Sequence, residues 1–202
     1  MKKYGIIGGT FDPIHNAHLY IAYEAKEILG LDKVIFIPNG SPPHKKDKNI
    51  TGASLRYKMV LEAIKDFEDF EVSKYEIEKE GLSYTYETLA YLKEDDVELY
   101  FITGADCLVD LDKWKNVSEI FSLCKFVVFT RPGFREEDLI EDKEKAEKKY
   151  NGEIIFLNIL DLEISSTDIR KRISEGKRID FFVPRRVLDL IRKEEIYSEG
   201  NN

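Results

Sequence analysis

Histidine is scarce in this chain, with three copies in 202 residues, yet His15 and His18 stand three apart in one stretch, GGTFDPIHNAH, residues 8–18. Three apart on a helix means one face. Imidazole N–H groups held that way can donate to phosphate oxygens. Gly8 and Gly9, followed by Thr10, would let backbone approach a ligand closely. Asn16 is placed to cap the helix that follows, and the N–H groups of a helix start favour an anion. The stretch has neither the G-x-G-x-x-G fingerprint nor the GK[ST] ending of a P-loop. Taken alone, two histidines beside a glycine turn are more often structural than functional. A zinc site that recruits His44 has no HxxxH pair or cysteine ligand behind it, so no metal ligands are assigned.

A second stretch, ISSTDIRKRI (164–173), has the same flavour. Ser165, Ser166 and Thr167 offer capping hydroxyls, and Asp168 follows Ser165 at capping-box spacing. A hydroxyl-rich helix start followed by Arg170 is a second cradle for phosphate. An ordinary amphipathic helix with a good cap, burying Ile169 and Ile173, would read the same way.

The elements that must position these residues are short strands alternating with longer helical patterns. Strands are expected at 4–7, 34–38, 97–103, 126–130 and 153–157. Helices are expected at 17–29, 53–66, 86–93, 136–150, 167–174 and 185–192. In the first helix Ile21, Ala22, Ala25, Ile28 and Leu29 share one side, and Gly30 supplies the stop. Such alternation predicts an α/β fold, a Rossmann-like doubly wound parallel sheet with helices on both faces. Ligands of these sheets bind beyond the carboxyl ends of the strands. The turns at Gly8, Pro38, Gly104 and Arg131 all follow strands. Residues 1–202 read as one domain, ending in a C-terminal helix within 185–202 and a tail that frays from Ser198. The charged run 135–149 reads as a solvated helix face.

The formal charge of −8, from 31 basic and 39 acidic residues, argues against a broad nucleic-acid surface. An anionic ligand must be held locally against that charge. Cys107 and Cys124 form no framework and read as reduced thiols. No signal-like or bilayer-length apolar run is present. The expected location is the cytoplasm, without a membrane partner.

In combination and in order, the two motifs resemble nucleotidyltransferases with an HxGH signature, in particular the bacterial nicotinate-mononucleotide adenylyltransferase family. The resemblance runs on through FIPNGSPPHK (36–45), SYTYETL (83–89), ITGADCL (102–108), Trp114, TRPG (130–133) and residues 184–197, nearly the whole chain. One position departs: the signature has glycine where this chain has Ala17, a small change that predicts slight crowding. The resemblance implies adenylyl transfer from ATP to nicotinate mononucleotide, a step of NAD biosynthesis, with Mg2+ carried by ATP and pyrophosphate. It implies that His15, His18, Ser166, Thr167 and Arg170 meet the ATP phosphates, beside the Gly8-Gly9-Thr10 turn. Gly104 would lie against adenosine, with Asp106 on its ribose. Lys45 would meet the mononucleotide phosphate, Thr85 and neighbouring amides the pyridine carboxylate, and Trp114 the ring. Arg131 joins the mononucleotide set.

Each residue also has a plainer role. Thr85 and Asp106 could be caps, Trp114 core, and Lys45 a solvated loop charge stiffened by Pro42-Pro43. Rival readings are a pantetheine-phosphate adenylyltransferase, a cytidylyltransferase and a non-catalytic nucleotide sensor. A homo-oligomer stays open.

Overall fold

Segments such as KVIFIP and CKFVVF are apolar at almost every position, the pattern of strands covered on both faces. The computed structural model, which describes residues 1–40, 50–129 and 136–198, places them in such a sheet. His44, Lys45, Arg131 and the tail 199–202 lie outside the described residues. The strands are β1 (Lys2–Gly9), β2 (Lys33–Pro38), β3 (Phe70–Val72), β4 (Val97–Gly104), β5 (Cys124–Phe129) and β6 (Ile154–Leu157). They run parallel in the order β3-β2-β1-β4-β5-β6.

The helices are α1 (Asn16–Leu29), α2 (Ala53–Ile64), α3 (Tyr75–Glu78), α4 (Thr85–Leu92), α5 (Ala105–Val109), α6 (Val117–Leu123), α7 (Glu136–Tyr150), α8 (Ser166–Ser174) and α9 (Arg185–Lys193), with a 3-10 turn at Leu111–Lys113. Successive strand residues point to opposite faces, and Ile6 and Ile7 accordingly belong to different cores. One core joins Ile7, Phe36 and Ile102 to α1, α2, α8 and α9. The other joins Ile6, Phe101 and Phe126 to α4, α5, α6 and α7. This is the doubly wound fold that the sequence predicts.

Two local expectations fail. The residue that caps α1 is His15, with extended backbone, and not Asn16. Asn16 is occupied elsewhere: its amide N–H donates to the Phe182 carbonyl (2.8 Å) and its Nδ2 to the Phe181 carbonyl (3.0 Å). Ile28 lies on the predicted stripe of α1 but stays 53% exposed in its last turn. Periodicity sets the angle of a side chain, not whether a neighbour reaches that far along. Gly30 does end the helix, in the left-handed conformation (φ 62°). Cys107 and Cys124 form no disulfide, and burial pushes the Cys124 thiol up to about 12. Among the described residues no helix is long and apolar enough to cross a membrane.

Candidate active site

Strand order reverses between β1 and β4, and their carboxyl ends part to leave a crevice, the usual ligand position in such sheets. A cavity of about 800 Å³ opens there. Gly8, Gly9, Thr10, His18, Thr85, Gly104, Asp106 and Trp114 all line it. Residues as far apart in sequence as Gly8 and Trp114 are thus brought to one cavity.

The two histidines have different situations. His15 is 4% exposed, and its ring stacks on that of His18 with centroids 3.7 Å apart. The backbone N–H of His15 donates to Nδ1 of His18 at 3.2 Å. An accepting Nδ1 places the proton of a neutral ring on Nε2, which is then the donor nitrogen. One turn of helix therefore fixes both the orientation and the tautomer of His18.

α8 begins as its sequence predicts. The Ser165 hydroxyl accepts from the Asp168 N–H at 3.0 Å and donates to the Asp168 carboxylate at 2.6 Å. The helix then docks on the loop between β1 and α1. Ser166 Oγ donates to the Pro13 carbonyl (2.8 Å), and Arg170 Nη1 donates to the Asp12 carbonyl (2.7 Å). Arg170 Nη2 reaches Thr167 Oγ1 at 3.4 Å. Thr167 and Arg170 open onto a neighbouring cavity of about 560 Å³, so the loop of residues 10–15 lies between α8 and the main crevice.

At the other end, α4 starts at Thr85, with Tyr84 as the extended cap residue; Thr85 is the first helical residue and not the cap. Asp106 likewise stands inside the first turn of α5, behind Gly104. Trp114 packs edge-on against Phe101 (5.9 Å, 82°) and Phe126 (6.2 Å, 69°) while still lining the crevice. Core packing and access to the cavity coexist in this one side chain.

A profile of the family described as cytidylyltransferase-like matches residues 6–172. A protein of Clostridium botulinum (strain Alaska E43 / Type E3), named "Probable nicotinate-nucleotide adenylyltransferase", is 61% identical over 98% of this chain and 100% of its own length. The chain belongs to the nicotinate-nucleotide adenylyltransferase family. A relative of the same name from Clostridium beijerinckii is 60% identical over 98% of this chain and all of its own. The solved nicotinic acid mononucleotide adenylyltransferase of Plasmodium falciparum, complexed with NaAD, shares the fold with a TM-score of 0.78. Its identity is 21%, over 98% of each chain.

For a member of this family, several polar residues at the site escape a reading by motif. Arg56 is 1% exposed and donates to loop carbonyls: Thr10 (2.7 Å), Asn39 (2.6 Å), Gly40 (3.4 Å) and Thr51 (2.8 Å). Burial pulls its guanidinium below the ordinary value, and nearby Asp12 opposes that shift. Glu76 is 6% exposed, lines the crevice and accepts from the Thr88 hydroxyl at 2.6 Å. Burial raises its carboxyl above the usual range, the Thr88 and Ser83 hydroxyls and Lys79 working the other way. The Cβ of any residue replacing Gly40 would lie 1.9 Å from the Glu76 carbonyl oxygen, so α3 and the loop after β2 are in tight contact. Lys115 adds positive charge to the lining beside the Tyr84 ring, whereas Lys113, also in the lining, is paired with Asp110 at 2.6 Å. A lysine or arginine in a chain with 31 of them carries no signal by type, and only its place in the fold singles it out. Among the described residues no cluster of three or more His, Cys, Asp or Glu side chains is arranged to hold a metal ion.

Proposed function

We propose that the chain transfers the adenylyl group of ATP to nicotinate mononucleotide, giving deamido-NAD and pyrophosphate, and that residues 1–202 act as one domain in the cytoplasm. The observation that carries this reading is the shared crevice. It joins the glycine-ended strand β1 and an oriented histidine donor to a helix start and a tryptophan, two sets of groups suited to two substrates.

The acceptor is a phosphate whose second pKa is near ~6, so at neutral pH it is already a nucleophilic anion and needs no general base. One of its oxygens bonds to the α-phosphorus of ATP as the bond from that phosphorus to the bridging oxygen breaks. Pyrophosphate leaves with that electron pair. Magnesium arrives with ATP and leaves with pyrophosphate, as part of the substrate. The protein must hold the reactants in line and neutralise the charge that grows on the transferring and leaving phosphates.

In this reading His18 donates from Nε2 to the phosphates, and His15 stacks behind it and caps α1. Gly8, Gly9 and Thr10 let the nucleotide lie close to backbone. Ser166, Thr167 and Arg170 grip the triphosphate from across the loop. Gly104 and Asp106 face the adenosine, Asp106 toward its ribose. Thr85 and the first-turn amides of α4 receive the pyridine carboxylate, and Trp114 takes the ring. Lys45 is assigned to the mononucleotide phosphate and Arg131 to the mononucleotide.

The reading is tested by pyrophosphate release with ATP or CTP and a panel of phosphorylated acceptors. A carboxylate accepts from two N–H donors, whereas a carboxamide turns its NH₂ toward one of them. The mismatch should cost about 3 kcal/mol, a discrimination of roughly a hundredfold. Nicotinate mononucleotide with ATP is the expected pair, and nicotinamide mononucleotide should be about a hundredfold poorer in kcat/KM. Comparable use of the two mononucleotides would overturn the carboxylate assignment. Preference for CTP or for a pantetheine phosphate would overturn the reaction.

A further inference from the structure

After α9 ends at Lys193, the chain folds back onto the loop between β1 and α1, and Ile196 and Tyr197 line the neighbouring cavity of about 560 Å³. Glu195 and Tyr197 both adopt left-handed backbone (φ 50° and 68°), a conformation rarely taken by residues with a side chain. Between them Ile196 is buried at 8% exposure and its N–H bonds the Ile191 carbonyl at 3.0 Å. Left-handed residues of this kind persist only where surrounding contacts determine them. Here the contact is made by the Tyr197 hydroxyl, which donates to Asp12 Oδ1 at 2.5 Å.

Asp12 is itself 4% exposed and stands in the middle of the loop between β1 and α1. Its second carboxylate oxygen accepts from the Thr51 N–H at 3.3 Å. Its backbone carbonyl accepts from Arg170 at 2.7 Å. Thr10, two residues before it, lines the crevice, and His15, three after it, carries the imidazole stack. Displacing Asp12 would therefore displace Thr10, the two histidines and the Arg170 head group together. The burial of the Tyr197 phenol and the adjoining Asp12 carboxylate hold its proton firmly, so it stays a donor.

We infer that Tyr197 is a positioning residue for the transfer step: its hydroxyl, through Asp12, fixes the loop of residues 10–15 in the geometry that receives the triphosphate. This rests on the assignment of that loop to ATP made above. It assigns a role in the reaction to a residue 179 positions from His18, outside every motif that carries chemistry.

The test is Tyr197→Phe, which removes one oxygen and keeps the ring. Initial rates are measured with each substrate varied, well below the unfolding midpoint. A lost donor to a catalytic loop should lower kcat by about tenfold, since small displacements of reacting groups cost that much or more. KM for the mononucleotide should stay within about twofold, because none of the groups assigned to it lies in the loop of residues 10–15. The double variant Tyr197→Phe/Asp12→Ala should be no slower than Asp12→Ala alone, because without the carboxylate the hydroxyl has no Asp12 acceptor to act through. A lower unfolding midpoint with unchanged kcat would make Tyr197 merely structural and overturn the inference. So would a loss confined to the mononucleotide KM, or losses that multiply in the double variant. Should Tyr197→Phe be too unstable to assay, Asp12→Ala, which removes the acceptor of the Tyr197 hydroxyl, carries the same test, with unchanged kcat overturning the inference. Absence of turnover in the unmodified protein would overturn the reaction itself, and this inference with it, a result distinct from all the others.

Discussion

At the scale of single residues, the site depends on hydrogen bonds that settle which atom of a side chain does what. His18 is the clearest case. Its Nδ1 accepts from the His15 N–H, which fixes Nε2 as donor, and the same bond helps cap α1. The two roles predict two separable losses in His18→Ala. Removing a donor aimed at developing negative charge should lower kcat by on the order of 10²–10³. Removing the partner of the His15 N–H should cost about 1 kcal/mol of stability, as lost caps do. The second loss is invisible in the sequence, where His18 reads as a surface-facing donor with little part in folding. Steady-state kinetics beside thermal unfolding of the same variant checks both. Undiminished turnover would remove His18 from the mechanism. An unchanged midpoint would show that water replaces the cap. His15, buried and stacked, is by contrast a residue whose loss should be felt first in folding.

At the scale of elements, what could be read from the sequence divides along physical lines. Long periodic segments were legible: α7 lies at the expected 136–150, and α1, α2, α4, α8 and α9 deviate by two residues or fewer at either end. Their apolar stripes or cap signals are local. β3, with three residues, and α3, with four, are too short to show a period, and they exist because β2 and α4 pack on them. The α8 start was legible because its chemistry is local too; Gly8 and Gly9, read as a turn, are instead the last residues of β1, paired with Ile37 and Pro38, because the neighbouring β2 extends the strand past the apolar run. Glu76 was not, since a lone glutamate among 39 acidic residues has no signature until α3 buries it against α4. That burial has a measurable consequence. The folded-state carboxyl is raised above its ordinary value of 4.5, mainly by desolvation. As pH rises from there, the unfolded chain gives up a proton that the folded chain still holds. Stability contributed by this group therefore falls across the window between the ordinary and the raised value. Glu76→Gln removes the titration while keeping an acceptor for Thr88. Relative to the unmodified protein, the variant should gain stability as pH is raised from 4.5 toward neutrality. A difference in unfolding midpoint that stays constant over that range would show that the raised carboxyl does not govern the pair.

At the scale of the molecule, a protein of net charge −8 must bring two polyanions together, and its means are local donors set at the one place where the sheet order turns. Two of the segments around those donors leave β1 and β2 side by side, joined at their start by the Asn39 N–H to the Gly9 carbonyl (2.9 Å), and beyond that point they need a further tie. Arg56 is that tie. It reaches from α2 under both loops, spending Nη1 on the Thr10 carbonyl, Nη2 on the Asn39 and Gly40 carbonyls, and Nε on the Thr51 carbonyl. Thr10 belongs to the side assigned to ATP, whereas Asn39 follows β2 at the head of the segment that leads to Lys45. The guanidinium thus spans the starts of the two segments to which the reactants are assigned, and a planar fork can do so where a point charge cannot. Arg56→Lys keeps the charge and loses the fork. A lysine can satisfy some of these carbonyls but cannot span them all, and each buried acceptor left over should cost about 1–3 kcal/mol. For a chain of this length that corresponds to a fall in unfolding midpoint of roughly 2–4 °C per kcal/mol. Catalysis should suffer more than binding, since either substrate can still find its own loop while the in-line approach is lost. The expected pattern is a kcat lowered by at least about tenfold with both KM values changed far less. Loss of affinity for both substrates at unchanged kcat would mean that Arg56 supports each loop separately. Unchanged midpoint and unchanged kcat together would mean that the loops hold their spacing without it.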